Sequence, residues 1–186
     1  MRNLFVIFLL FGSLASFSQI KDGAKVVDLS LSYTNSNGNT FFFAQPLIGF
    51  GVNENKLLYA GFAYSHQYFD FSGDTENLTS LIIGYEKLME LNSSVYFAPF
   101  FSGSYGIGKS DDGFTKEDIN NLSLTFRPRI HYFMNSKWSL VASVGAVQLS
   151  NKVVEGATGK STSNILSLNL NSSNVFFGIR LNLNND

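Results

Sequence analysis

A run of strict two-residue alternation constrains the fold of this chain more than any other feature. Between Leu122 and Tyr132 every second residue is apolar, and Arg127, Arg129 and His131 stand at positions between them. Residues two apart lie on the same face of a β-strand, so the run predicts a strand with one apolar and one charged face. In a soluble sandwich the charged face would meet bulk water, whereas in a membrane barrel it would be enclosed.

The same alternation recurs along most of the chain, and no stretch shows the 3.6-residue period of an amphipathic helix. Together the alternating segments predict eight strands. The seven other segments begin near Val27, Phe42, Leu58, Leu81, Val95, Leu140 and Val175. Leu166 and Leu168 have the opposite parity to the last segment, which predicts a break or bulge within residues 171–174.

The connections between these segments alternate in length. Short turns are predicted at residues 52–56, 92–93 and 135–137. The polar stretches between them are longer and are predicted as loops at residues 35–39, 70–77, 109–121 and 151–164. Short turns at one rim and long loops at the other are typical of transmembrane barrels. The predicted fold is therefore all-β, an eight-stranded antiparallel up-and-down transmembrane β-barrel.

The N-terminal residues have the order of a secretory signal. Arg2 is followed by an unbroken apolar run at residues 4–11 and then by small residues that include Ser16 and Ser18. The run is too short to cross a bilayer as a helix, which needs about 20 apolar residues. We therefore predict a signal peptide at residues 1–18 and an exported barrel domain at residues 19–186.

The face opposite the apolar ladder carries the charged side chains of the predicted strands. We predict a lumenal polar network of Glu86, Arg127, Arg129, His131 and Arg180. Burial of these groups requires mutual pairing or water. The lumen of an eight-stranded barrel is about filled by side chains, so we interpret the network as a hydrogen-bonded plug rather than a pore lining.

Aromatic residues lie near the ends of the predicted strands. Tyr85, Tyr132 and Trp138 lie near the short turns, and Tyr64 and Tyr105 lie toward the long loops. Transmembrane barrels place aromatic girdles at both membrane interfaces, so we predict these five as interfacial aromatics.

Three prolines lie on the predicted outward face within strands, at Pro46, Pro99 and Pro128. A proline has no N–H for the ladder, so each is expected at a bulge or at an interruption of strand pairing.

Several short phrases resemble a known family. They are DLSLSY at residues 28–33, PLIGFG at 46–51, LYAGFAY at 58–64, SLVASVG at 139–145 and FGIRL at 177–181. With the signal peptide, their order is similar to that of the outer-membrane protein β-barrel domain family, the small OmpA-type and OmpW-type barrels of Gram-negative bacteria. The resemblance implies a location in the bacterial outer membrane, contact with its lipid and lipopolysaccharide, and assembly by the barrel-insertion machinery. Many members end in an aromatic residue, whereas this sequence ends in Asp186.

Composition excludes several function classes. The chain has no cysteine, which removes disulfides, cysteine zinc sites and thiol catalysis. Thirteen basic and fourteen acidic residues leave no excess of positive charge for nucleic acid. Residues 103–110 match a phosphate-loop pattern, but they lie along a predicted strand rather than before a helix. We predict no catalytic residues, no cofactor and no metal site.

The leading hypothesis is a non-enzymatic outer-membrane barrel with a plugged lumen and a structural or surface-recognition role. Three alternatives stay open at this stage. The lumen could conduct small solutes, or His66 near the outer rim could serve a lipid-modifying enzyme. A secreted soluble barrel that binds an apolar ligand would instead turn Phe62 and Phe126 inward. The sequence names no surface ligand.

Overall fold

A computed structural model of the chain describes residues 20–36, 38–70, 72–156, 159–169 and 175–183. The strands are β1 (Lys25–Ser36), β2 (Asn39–Asn53), β3 (Lys56–Phe69), β4 (Asp74–Lys87), β5 (Met89–Glu90), β6 (Val95–Asp111), β7 (Lys116–Phe133), β8 (Trp138–Val144), β9 (Ala146–Gly156), β10 (Gly159–Asn169) and β11 (Val175–Asn182). Among the described residues, no helix has the length and apolar character needed to cross a membrane. The predicted signal peptide and the predicted break within residues 171–174 lie outside the described residues.

The strands form an antiparallel ring that closes where β1 pairs with β11, from Val26 to Leu31 on β1. In the described part of the chain β10 pairs only with β9, so its other edge makes no strand pairing there. Neighbours along the chain pair with each other from β1 to β4, then β4 with β6 and β6 with β7, and β1 returns to pair with β11. β8 and β9 both pair with β7 and are separated by Gly145 at φ 74°, so they form one wall strand in two parts. β10 and β11 form another, and the two-residue β5 extends the ladder of β6. The wall therefore has eight strands, which confirms the predicted up-and-down barrel.

Burial alternates along the wall as the sequence predicted. On β1, Leu29 and Leu31 are 44% and 47% exposed, whereas Ser30 and Ser32, the residues that follow each of them, are both 7% exposed. On β7, Leu124 is 62% exposed and its neighbour Ser123 is 4% exposed. Apolar side chains therefore form the outer surface, and polar side chains face the lumen.

The predicted long loops are wrong, because the strands continue through much of each predicted loop. β3 ends at Phe69 and β4 begins at Asp74, and β6 and β7 are 17 and 18 residues long. Polar side chains pair across these extensions, as in the 2.8 Å hydrogen bond from Asn151 Nδ2 to Asn164 Oδ1. Alternating polar residues satisfy a ladder as well as apolar ones do, although their composition is typical of loops. The short turns at residues 52–56, 92–93 and 135–137 are confirmed.

The turn between β6 and β7 is closed by Asp112. Its Oδ1 accepts backbone hydrogen bonds from Thr115 at 2.5 Å and Phe114 at 2.9 Å, and its Oδ2 accepts from the Thr115 hydroxyl at 2.9 Å. These hydrogen bonds lower the pKa of the Asp112 carboxyl, and the one from the Thr115 backbone has the largest effect. Gly113 follows at φ 81°, a left-handed conformation that glycine adopts without strain.

Each proline lies where a ladder is interrupted. Pro46 pairs with Leu29 of β1, but the pairing of β2 with β3 skips from Ala44 to Leu47. Pro99 falls between the ladders that β6 makes with β4 and with β5. Pro128 falls between the ladders that β7 makes with β9 and with β8. On the side where the ladder is interrupted, the missing N–H removes no bond. On the other side the ladders continue, with Pro99 directly opposite Pro128.

Candidate functional site

The lumen is closed at the short-turn end by an apolar layer, which we call the floor. Residues 20–24 fold beneath the barrel, where Gly51 N donates to Ala24 O at 2.7 Å and Asn55 N donates to Ile20 O at 3.0 Å. Ile20 is thereby buried against the inward side chains of the barrel end. The other large members of the floor are Val26, Leu57, Leu88, Tyr96 and Phe133.

Above the floor, Glu86 of β4 is the central acceptor of a buried cluster. It accepts a hydrogen bond from the Tyr59 hydroxyl at 2.7 Å and one from His131 Nε2 at 3.0 Å. Arg180 donates to it through its NH2 group, and Arg129 NH1 lies 3.4 Å from its Oε1. The Glu86 and His131 side chains are completely enclosed.

Asp28 of β1 supplies the second carboxylate. Arg180 binds this carboxylate in a bidentate manner, with Nε donating to Oδ1 at 2.7 Å and NH2 donating to Oδ2 at 3.0 Å. Arg129 NH1 lies 3.5 Å from Oδ2 of the same carboxylate. Two carboxylates therefore face two guanidinium groups, and we call Asp28, Tyr59, Glu86, Arg129, His131 and Arg180 the charge network. The bidentate grip and the balanced charge offset the cost of removing these ions from water.

Aromatic rings and glycines hold the network in position. The Arg129 guanidinium lies 3.7 Å above the centroid of Phe100, whose ring meets that of Tyr59 edge-on at 5.6 Å. A Cβ at Gly84 would lie 2.6 Å from Phe100, and one at Gly49 would lie 2.6 Å from Tyr59. Only glycine at these positions leaves the two large rings room to point inward.

Arg127 lies apart from the charge network. Its NH1 donates to Gln45 Oε1 at 3.3 Å, and its guanidinium lies 4.3 Å from the ring centroid of Phe176 and 6.0 Å from that of Phe43. Among the described residues, no carboxylate forms an ion pair with it. Its enclosed Nε has no hydrogen-bond partner in the described part of the chain.

Arg127 lines a cavity of about 220 Å³ in the outer half of the lumen, which we call the outer cup. The polar lining residues are Gln45, Ser65, Ser80, Ser102, Ser104, Asn121, Ser123, Thr125, Arg127 and Gln148. Three phenylalanines, Phe41, Phe43 and Phe176, complete one side of the wall. The charge network and the floor lie on the short-turn side of the outer cup.

The structure brings together four members of the predicted lumenal network, Glu86, Arg129, His131 and Arg180. It leaves the fifth, Arg127, bound to an amide one layer farther out. Sequence reasoning omitted Asp28, Tyr59 and Gln45 from the network, although their strand parity turned all of them inward. Their inward parity was the signal that could have included them.

The predicted interfacial aromatics lie on the outer surface at two levels. Tyr64 and Tyr105 are exposed and donate their hydroxyls to Asn77 and Asn120 at 3.0 Å each. The predicted aromatics near the short turns are the half-buried Tyr85 and Tyr132 and the exposed Trp138.

His66 lies beside the outer tyrosines and donates from Nδ1 to Asn77 Oδ1 at 2.7 Å. Its cross-strand neighbour on β2 is Phe42, and Asn77 faces Lys109 on β6. In the described part of the chain no serine is hydrogen-bonded to this pair, and the hydroxyl bonded to Asn77 is that of Tyr64.

Comparison with known proteins yields only distant similarities. No protein-family profile matches the sequence, and no curated protein matches it. The fold is similar to the crystal structure of a major outer membrane protein from Thermus thermophilus, with 16% identity, a TM-score of 0.49 and coverage of 86% of this chain and 98% of that chain. It is also similar to a structure from de novo design of transmembrane beta-barrels, with 12% identity, a TM-score of 0.40 and coverage of 89% and 100%. At these identities and TM-scores, neither similarity assigns a family or a residue's role, and the resemblance to OmpA-type and OmpW-type barrels stays a prediction.

Proposed function

We propose that this chain is a non-enzymatic β-barrel of the bacterial outer membrane, with a plugged lumen and a structural or surface-recognition role. One observation carries the proposal: apolar side chains cover the outside of a closed ring while the charge network is enclosed at its centre. Water around the ring would disfavour the apolar outer surface. Hydrocarbon around the ring would favour both the apolar outer surface and the enclosure of the charge network. Outer-membrane lipid and lipopolysaccharide are then its surroundings, and the barrel-insertion machinery is its assembly partner.

The length of the wall fits a membrane with a projecting rim. At 18 residues, β7 is about 60 Å long and rises about 45 Å at a tilt of about 40°. The apolar band of a transmembrane barrel is about 25 Å tall, so about 20 Å of wall is left over. The outward face supplies a boundary for that band, because Tyr64 and Tyr105 bond to Asn77 and Asn120 at the level where outward residues become polar.

The blocked lumen argues against the conducting alternative. The floor and the charge network lie in series across the barrel, and Arg129 and Arg180 are 2% and 0% exposed. The lipid-modifying alternative lacks a serine at the His66–Asn77 pair in the described residues. The soluble alternative predicts Phe62 and Phe126 inside, whereas Phe62 is 56% exposed and Phe126 lies on the same outer face.

Two adjacent cysteines test the proposal, because the natural chain has none. In outer-membrane vesicles, Leu124→Cys is expected to react with a lipid-phase maleimide, while the matched control Ser123→Cys stays unlabelled. The purified barrel is expected to show heat-modifiable gel mobility and no conductance in planar bilayers. Recovery of the protein from the soluble fraction, or lipid-phase labelling at position 123 instead of 124, would refute the membrane placement.

A further inference from the structure

The outer cup is closed at its inner end and does not continue as a channel. Its inner end is closed by the charge network and the floor, and its lining residues extend toward the rim formed by the turns at Gly38, Gly73 and Gly113. A solute that enters from this rim finds about 220 Å³ of space and no onward path. The geometry is therefore that of a binding site rather than of a channel.

Arg127 gives the outer cup an unbalanced positive charge. Among the described residues that line it, Arg127 alone is charged. The two guanidinium groups and two carboxylates of the charge network balance each other and offer Arg127 no net counter-charge. The faces of Phe43 and Phe176 contribute cation–π attraction of about 0.5–2 kcal/mol, but an enclosed cation is compensated far better by an anion.

The remaining lining is rich in neutral hydrogen-bonding groups. Hydroxyls come from four neighbouring strands, and Ser104 and Ser123 bond to each other at 2.7 Å across β6 and β7. Gln45 of β2 and Gln148 of β9 add amides on the two strands that flank this group. Hydroxyls and amides both donate and accept, which matches a ligand that carries several hydroxyls.

The mouth of the outer cup is bridged by an ion pair. Lys152 of β9 reaches Glu76 of β4 at 2.7 Å, although two other strands separate β4 from β9 around the wall. Lys152 pairs in register with Asn121 and Glu76 precedes Leu78 by two residues, so both stand one step outside the lining. A ligand that enters between β4 and β9 passes beside this pair.

We propose that the outer cup binds a small polyhydroxylated carboxylate of monosaccharide size, such as a sugar acid, free in solution. The carboxylate pairs with the Arg127 guanidinium, whose planar donors suit that group, and the hydroxyls bond to the serine and glutamine side chains. The cavity is smaller than the roughly 300–1,000 Å³ typical of drug-sized ligands, which sets the size limit. This inference goes beyond the proposed function and requires only the closed barrel, whichever solvent surrounds it.

Isothermal titration of the refolded full chain in detergent micelles tests the site. Glucuronate is the probe, glucose is its neutral counterpart, and acetate is a carboxylate without hydroxyls. We expect saturable glucuronate binding, with glucose and acetate each weaker by about tenfold or more, since charge-assisted hydrogen bonds are the stronger ones. Arg127→Gln is expected to lose about tenfold or more in glucuronate affinity, and Arg127→Lys less, because it keeps the charge.

Two further variants complete the design. Gln148→Leu removes a neutral lining amide and is expected to weaken glucuronate binding even if Arg127→Gln does not fold. Lys116→Gln changes an exposed lysine outside the cup and is expected to leave binding unchanged. Equal affinity for glucose or acetate, undiminished binding by folded Arg127→Gln, or no saturable glucuronate binding would each overturn the proposal. Membrane labelling at position 124 is measured separately, so either proposal can fail alone.

Discussion

Removal of the central carboxylate of the charge network provides the sharpest test of how the lumen is held together. Glu86→Gln keeps the size of the side chain but removes one of the two negative charges opposite Arg129 and Arg180. It also replaces one carboxylate oxygen by an amide N–H₂, which faces the four groups that now donate hydrogen bonds to the carboxylate. Breaking a buried ion pair by removing one partner destabilises a protein by about 3–5 kcal/mol. At about 1.4 kcal/mol per factor of ten, the folding equilibrium constant is expected to fall by about a hundredfold to a few thousandfold.

A second substitution separates charge balance from general damage to the core. Arg129→Met restores neutrality when it is combined with Glu86→Gln, and its flexible side chain can pack on Phe100 in place of the guanidinium. The double variant is therefore expected to be more stable than Glu86→Gln alone, with a coupling energy of about 1–3 kcal/mol.

Urea titration in detergent or lipid measures both quantities, with the emission of Trp138, the single tryptophan, as the probe. Asp111→Asn, which breaks the exposed 3.5 Å ion pair with Lys116, is the control and is expected to cost at most about 1 kcal/mol. A Glu86→Gln barrel as stable as the parent would refute the reasoning. So would a double variant whose destabilisation equals or exceeds the sum of the two single changes.

Two further predictions concern the wall and the rim. Gly84→Ala places a Cβ 2.6 Å from Phe100 and is expected to destabilise the barrel by about 1–3 kcal/mol. Gly103→Ala is the control, because its Cβ would lie 3.6 Å from the nearest neighbour, and its stability is expected to stay within about 0.5 kcal/mol of the parent. Similar urea midpoints for the two variants would contradict this packing. Asp112→Ala opens the β6–β7 turn and is expected to speed trypsin cleavage after Lys116 in the folded barrel at pH 7; an unchanged rate would show that the carboxylate does not hold the turn. Because its pKa is lowered, the Asp112 contribution is complete above the ordinary aspartate pKa of about 3.9 and is lost as pH falls through the lowered value.

The period-two pattern predicted the faces of the strands because side-chain direction in a strand depends on parity alone. It could not predict where the strands end at the outer rim, since the alternation of Asn, Ser and Thr continues the ladder with side chains that also favour turns. Gly145 shows a related limit, because the break between β8 and β9 depends on its backbone conformation at φ 74°.

The contacts inside the lumen required the register between strands that are distant in the sequence. Asp28 and Arg180 are direct cross-strand partners at the closure of β1 with β11, but parity says only that both point inward. The same limit explains Arg127, which shares a face with Arg129 and yet lies one layer away from the carboxylates. Parity assigns a residue to a face, while height and partner follow from how the ring closes.

The strands extend beyond the apolar band, so a protein or antibody that binds this end of the barrel meets paired strands rather than flexible loops. Each surface patch at this end combines side chains from adjacent strands, such as Asn77 beside Lys109. A linear peptide copied from residues 109–118 would present both faces of a strand and none of its neighbours. Antisera raised against such peptides should bind denatured chains, and antisera raised against the intact barrel should lose their target on boiling.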